Sequence, residues 1–371
     1  MIALGTATRP GIQPGVRPAV AALLLALVSL SEACLHEVPV TEPASDHAAL
    51  EETLNVEQLE QLLWPKTQDR WDPVTERELV ALEDLVVTLL ERAETGYFGP
   101  AKLARVERLL AVTALELRVV EVRLDPNGNT SGDQQGEPLW VLSEPAHDRR
   151  GRGAYVFRIG QLDPRRRGGV EHLLQAPHSR FDKHTGALAL GLFVERHVGV
   201  QPARALFVNS SHRYRQFDGT RDPVVPPSRN PADAAHRVDH PLARVTAVAL
   251  RKRPIVVVQL HGFERDSALA DPEMIISSGE RHPSEASEGV LRRLRAAFPK
   301  LSIAQYGVDA NRLGGETNVQ GEAARTAGRC FVHVEMAETP REQLLADRAA
   351  RRRFAAALLG ADKKELRRGC Q

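Results

Sequence analysis

Three apolar, strand-like stretches of this chain run into polar groups of the kind that hold a metal ion. One leads into Pro177-His178-Ser179-Arg180-Phe181-Asp182-Lys183-His184-Thr185-Gly186. The second is Gln259-Leu260-His261-Gly262-Phe263. The third alternates Phe331, His333 and Glu335 on one face with Val332, Val334 and Met336 on the other. Two imidazoles and a carboxylate leave one position of a tetrahedral Zn²⁺ free, and water held there ionises at a pH of roughly 7. His178, Asp182 and His261 are the expected ligands. Glu335 is the expected acid–base group, since a separate carboxylate must take the water's proton and return it to a leaving amine.

Each of these residues also has a plainer use. His178 suits the cap of a turn, and Asp182 suits the N-cap of a helix that starts near residue 187. His184 competes with Asp182 for the third ligand position. His261 and Glu335 are harder to read as structural. A buried imidazole needs hydrogen-bond partners, and a carboxylate on an apolar strand is costly unless paired or used.

Positioning such groups requires a sheet. Ile255-Val-Val-Val-Gln-Leu260 is a β-branched run that suits a strand buried on both faces. Further strands are expected over 115–124, 140–142, 154–159, 172–176, 205–208, 301–306 and 330–336. Helices are expected over 187–197, 234–251, 288–298 and 341–359. This alternation predicts an α/β fold with a mixed, largely parallel sheet flanked by helices, whose ligands collect at the carboxyl ends of the strands. Upstream, Val56, Leu59, Leu62 and Leu63, then Leu79, Leu82, Leu85, Val86 and Leu89, and then Leu103, Val106, Leu109 and Leu110 keep helical spacing. They predict a small helical subdomain over 46–114 before an α/β domain over 115–362 and a tail over 363–371. Residues 126–136 and 217–233, rich in Asp, Asn, Pro and Gly, read as surface loops.

The first residues have another character. Arg9 and Arg17 precede the apolar run from Pro18 to Leu30, and Ser31-Glu32-Ala33 then leads to Cys34. A basic head, a short apolar stretch and a small-x-small site read as a secretory signal over 1–33, followed by a tether over 34–45. Cys34 resembles the acylated cysteine of a bacterial lipoprotein, so membrane attachment through it is expected alongside export to the cell envelope. In an oxidising envelope Cys330 and Cys370 either pair or remain thiols. With 49 Lys+Arg against 48 Asp+Glu, the net charge is +1, which argues against a nucleic-acid partner, because that needs a positive excess to displace counterions.

The segments Pro177-His178-Ser179, His212-Arg213-Tyr214-Arg215 and Leu260-His261-Gly262 together resemble the N-formylglutamate amidohydrolase branch of the zinc carboxypeptidase superfamily. Asn318-Val-Gln-Gly321 and Phe331-Val-His-Val-Glu335-Met-Ala-Glu-Thr-Pro-Arg341 are similar to the end of that family and of phage poly-γ-glutamate hydrolases. The resemblance spans about residues 150–345. It implies a carboxypeptidase A-like fold, one catalytic zinc, and hydrolysis of an amide bond next to a carboxylate. His178 and His261 match the two histidine ligands, and Glu335 matches the general base and acid. Arg213 matches a basic residue that holds a substrate carboxylate or a developing oxyanion. Position 181 is Phe where the carboxypeptidase His-x-x-Glu pattern has its acid, and Asp182 is the substitute. Asn311-Arg312 resembles an Asn-Arg pair that grips a terminal carboxylate, but lies later in the chain. The implied partner is a small acidic amide or peptide, such as an N-acyl amino acid or a γ-glutamyl compound, and the expected envelope location adds a cell-wall peptide. The departure at position 181 keeps a second reading open, a surface lipoprotein that retains the fold as a binding module without turnover.

Overall fold

The run Ile255–Gly262 forms β7, near the middle of a ten-stranded sheet. The other strands are β1 (Glu52–Asn55), β2 (Glu116–Arg123), β3 (Pro138–Ser143), β4 (Ala154–Arg158), β5 (Glu171–Ala176), β6 (Ala205–Val208), β8 (Met274–Ser277), β9 (Ile303–Gln305) and β10 (Phe331–Met336). Their order is β1-β2-β3-β4-β6-β5-β7-β10-β8-β9. The pairs β1·β2, β5·β6, β5·β7, β7·β10 and β8·β9 are parallel, and the other four are antiparallel. The sheet is thus mixed and, over β6, β5, β7 and β10, wholly parallel, as the alternation of strands and helices predicts.

The structure, a computed structural model, describes residues 52–64, 69–123, 136, 138–162, 170–195, 200–266, 271–360 and 370. These belong to one unit over 46–371. The signal segment, Cys34 and the tether lie outside the described residues, as do most of the 126–136 loop and of the tail.

Both faces of the sheet are covered, which is why its central strands read as continuous apolar runs. One layer holds α1 (Val56–Leu63), α4 (Thr185–Val194), α6 (Glu285–Ala297), α8 (Glu338–Ala346) and α9 (Arg348–Leu359), packed on Leu174, Val256, Val258, Leu260, Val332 and Val334. The other holds α2 (Glu76–Arg92), α3 (Pro100–Thr113), α5 (Pro241–Lys252) and α7 (Val319–Thr326), packed on Leu173, Phe207, Val257 and Phe331. Fully burying such a side chain stabilises by about 1.5–3 kcal/mol, so β7 is anchored by its apolar residues. Its buried Gln259 and His261 call for polar partners, because an unmade bond at a buried polar group costs about 1–3 kcal/mol.

Helix starts follow local chemistry. Thr75 Oγ1 accepts from Glu78 N at 3.2 Å while Glu78 Oε2 accepts from Thr75 N at 2.9 Å. This reciprocal cap, worth about 1 kcal/mol, opens α2. Its stripe of Leu79, Leu82, Leu85, Val86 and Leu89 is buried as its spacing predicts.

Several elements differ from the sequence reading. Glu52–Asn55 is a strand on the sheet edge within a stretch read as helical, because Asn55 caps α1 and leaves the preceding residues to pair with β2. The expected C-terminal helix is two helices, because Asp347 accepts from Ala349 N and Ala350 N and so starts a new one. Helix α5 begins at Pro241 rather than near 234, since His240 caps it and proline suits the first helical position. Strand β8 and helix α7 have no counterpart in the sequence reading. Cys330 is bonded to Cys370, with Cα atoms 4.6 Å apart, which fastens residue 370 to the start of β10. Among the described residues, no helix is long and apolar enough to cross a membrane.

Candidate metal centre

Parallel strands β5, β7 and β10 end at one edge of the sheet. Gln175 lies level with Gln259, and Gln259 with His333; one step further on, His261 lies level with Glu335. Side chains in register on neighbouring strands share a face, so a polar row crosses the sheet and its last step carries an imidazole beside a carboxylate. His178 and Asp182 stand on the turn that leaves β5. There Phe181 N and Asp182 N both donate to His178 O, at 2.8 and 2.7 Å. A turn of this helical form stacks side chains i and i+4. That is why the acid at 182, and not the side chain at 181, meets His178.

Asp182 Oδ2 lies 3.5 Å from His178 Nδ1 and 3.4 Å from His261 Nδ1, and it accepts from Gly262 N at 3.0 Å. The two rings meet edge to face with centroids 4.8 Å apart. Each ring is held by its other nitrogen. His178 Nε2 is 2.9 Å from Asp233 Oδ1, and His261 Nε2 is 2.8 Å from Gln259 Oε1.

These contacts fix the tautomers. A carboxylate accepts only, so His178 carries its proton on Nε2. Arg213 Nη1, which donates only, lies 3.3 Å from His178 Nδ1 and therefore faces a lone pair. The Gln259 amide nitrogen donates to Gln175 Oε1 at 2.9 Å, and its oxygen also accepts from Asn318 Nδ2 at 2.5 Å. That oxygen can only receive a proton from His261 Nε2. Both imidazoles thus turn unprotonated Nδ1 atoms toward Asp182. Metal-binding histidines are oriented in this way by an acceptor on the far nitrogen. Bonds of about 2.0–2.2 Å at tetrahedral angles place ligand atoms about 3.3–3.5 Å apart, so the donor set present fits Zn²⁺.

Burial would raise the Asp182 carboxyl, but in the metal-free protein a proton taken up at His178 or His261 Nδ1 is donated to it, which outweighs burial and holds it well below the usual carboxylate range. Burial pushes the His261 ring down to about 4. Glu335 behaves oppositely. Burial and the neighbouring Asp182 charge push it well above its ordinary value, against weaker pulls from Arg213 and Arg341. It is 8% exposed, and its Oε1 lies 3.7 Å from His333 Nε2. Two carboxylates with opposite shifts in one site divide the labour of ligand and proton carrier.

The structure therefore brings together His178, Asp182, His261 and Glu335, with Arg213 at their side. Arg213 Nη2 donates to Asp233 Oδ2 at 2.7 Å, and its guanidinium lies over the rings of Phe181 and Tyr214. His184 heads α4 and points to Glu342, at 3.7 Å, rather than to the centre. The Asp182 carboxylate does not cap that helix, whose cap residue is His184. Asn311 and Arg312 lie exposed beyond β9, and Arg312 pairs with Asp271 at 3.6 Å. No contact between either and the His178–Asp182–His261 group is present among the described residues.

Asp233 and His236 have no place among the site residues of the sequence reading, and Gln259 and His333 stand in its motifs without an assigned role. Asp233 is fully buried and also takes the His236 Nδ1 contact at 2.9 Å. Its signal in the sequence is the spacing in Asp233-Ala-Ala-His236, and that of Gln259 is a lone amide two residues before His261.

No family model matches the chain, and no curated protein matches it. Among solved structures it is similar to a bacteriophage poly-γ-glutamate hydrolase, at 13% identity and TM-score 0.34 over 56% of this chain and 86% of that one. It is also similar to a metallo-carboxypeptidase from Burkholderia cenocepacia, at 11% identity and TM-score 0.34 over 71% and 68%. A third is an N-formylglutamate amidohydrolase from Ralstonia eutropha, at 12% identity and TM-score 0.32 over 52% and 92%. With TM-scores this low, the likeness bears on nothing about the chemistry of the site.

Proposed function

We propose that this chain is an exported, zinc-dependent hydrolase that cleaves an amide bond next to a carboxylate. One observation carries the reading: two imidazole lone pairs and the Asp182 carboxylate converge, each ring locked from behind, with a proton-hungry carboxyl on the adjacent strand. His178 Nδ1, Asp182 Oδ2 and His261 Nδ1 would hold Zn²⁺, which when bound supplies Lewis-acid polarisation and makes water more acidic.

The chain's own residues do the rest. Glu335 accepts a proton at its carboxylate and delivers it to the departing nitrogen, a task for which a raised affinity for protons is suited. Its partial exposure gives that proton a path. Arg213 is held at Nη2 by Asp233. Its Nη1 faces His178 Nδ1 and becomes available to an anionic oxygen once that lone pair binds an ion. A guanidinium so placed grips a substrate carboxylate or steadies an oxyanion. In its carboxylate-gripping role this donor supports an acidic substrate class, and N-acyl amino acids, γ-glutamyl compounds and cell-wall peptides all carry the feature. Export rests on the basic-apolar-cleavage pattern of residues 1–33, and lipid attachment on Cys34.

The test uses the purified chain with N-acyl-glutamate and γ-glutamyl dipeptides, following release of free amine. Amine release that stops with a chelator and returns with zinc is the expected result. Binding of these compounds without any cleavage would instead favour a binding module that keeps the fold.

A further inference from the structure

One side chain outside the centre reaches all three segments that carry it. Arg341, on α8, is buried, and each of its three nitrogens donates to a backbone carbonyl. Nη1 bonds Lys183 O, Nε bonds Ala337 O at 3.2 Å, and Nη2 bonds Phe263 O at 3.5 Å. Lys183 directly follows Asp182. Phe263 lies two residues beyond His261, and Ala337 two beyond Glu335. Phe263 and Ala337 are the first residues beyond β7 and β10, and Lys183 lies in the turn that follows β5.

Position 262 makes room for the guanidinium. A Cβ on Gly262 would stand 2.4 Å from Arg341 Nη1 and 2.6 Å from Cζ. The same glycine gives its N–H to Asp182 Oδ2 at 3.0 Å, so the guanidinium packs against the residue that links the His261 exit to Asp182. A planar fork with fixed donor directions holds three carbonyls in one arrangement, which a lysine ammonium cannot do. A pocket of about 430 Å³, lined among others by Asp182, Gly262, Glu338 and Arg341, opens beside it.

We infer that Arg341 is a positioning residue, whose single guanidinium ties the Asp182 turn, the His261 exit and the Glu335 exit together and so sets the spacing of the metal donors and the base. Taken with the metal centre proposed above, this makes one side chain, six residues beyond the base, the keystone of the constellation.

Amide hydrogen exchange on the metal-free protein tests the clamp without reference to zinc. The amides of Asp182, Thr185, Phe263 and Ala337 donate to carbonyls of His178, Asp182, Met336 and Glu273. In Arg341→Gln and Arg341→Lys they are expected to lose protection together, by about tenfold or more, while β3 and β4 keep theirs. In Arg341→Ala, millimolar methylguanidinium should restore them. A uniform rise in exchange across the chain, or a change confined to α8, would overturn the inference.

A second arm measures zinc affinity, expected to fall about 10–100-fold in Arg341→Gln, the range seen when an outer support of a metal ligand is lost. Gly262→Ala should weaken zinc binding too. Combined with Arg341→Ala it should add nothing, because the group it collides with is gone; full additivity would count against the clamp. If the wild-type chain binds no zinc, the metal-centre reading fails, and the exchange pattern alone decides for or against Arg341.

Discussion

Glu335→Gln is expected to lower turnover of an N-acylated acidic amino acid by about 10²–10⁴-fold, the usual worth of a positioned acid–base group, while zinc affinity stays unchanged. The side chain is not among the three donors whose Nδ1 and Oδ2 atoms converge. It stands level with His261 on the neighbouring strand, buried but for a small exposed edge. Glutamine keeps its shape and hydrogen-bonding reach and removes the proton site alone. The loss should therefore fall on kcat with KM nearly constant, the signature of an interaction made only in the transition state. Single-turnover kinetics and a zinc titration on the same preparation check both halves. Turnover within threefold of wild type, or about that, would remove Glu335 from the chemistry.

Asp233→Ala is expected to destabilise the metal-free chain by about 3–5 kcal/mol, the cost of stripping one partner from a buried ionic group. Asp233 is fully buried and meets His178 Nε2, His236 Nδ1 and Arg213 Nη2 at once. Burial lowers the affinity of His178 for protons, but the charge and hydrogen bond of Asp233, together with the Asp182 contact, raise it on balance. Without Asp233 the guanidinium and the ring lose their common acceptor, and His178 is free to turn its lone pair away from Asp182. Zinc affinity should then fall about 10–100-fold as well. Asp233→Asn, which keeps one acceptor oxygen, should show a smaller loss in both. Denaturant unfolding and competition titration measure the two effects. A change under about 1 kcal/mol with intact zinc binding would mean that the carboxylate does not orient the ring.

The four central residues were readable because they stand where apolar strands end, and a polar side chain there must be paired or used. The position of the acid was less readable. A His-x-x-Glu template directs attention to residue 181, where Phe181 is 42% exposed and faces His212 and Tyr214. Only the turn, with Asp182 N bonded to His178 O, brings position 182 round to the imidazole. Asp233 was hidden for a related reason. It lies where an Asp- and Pro-rich stretch reads as surface loop, yet residues 230–235 are all buried. Long-range contacts of this kind leave no trace in local periodicity.

The same contrast holds for the fold. The long, strongly periodic helix α2 and the β-branched strand β7 were evident. Met274–Ser277 is four residues long and follows a Pro-Glu pair, too short for alternation to register. Asp347 cut a helix in two through a local side-chain cap inside an otherwise continuous pattern. Arg341 illustrates the limit most clearly: its role lies in three carbonyls contributed by residues 183, 263 and 337, and nothing in its own neighbourhood announces them.

Zinc content measures directly whether His178, Asp182 and His261 share one ion. The purified wild-type chain, equilibrated with zinc and freed of excess, should retain about one equivalent, and His261→Ala should retain almost none. Less than about a tenth of an equivalent in the wild-type chain, with no further loss in His261→Ala, would contradict it.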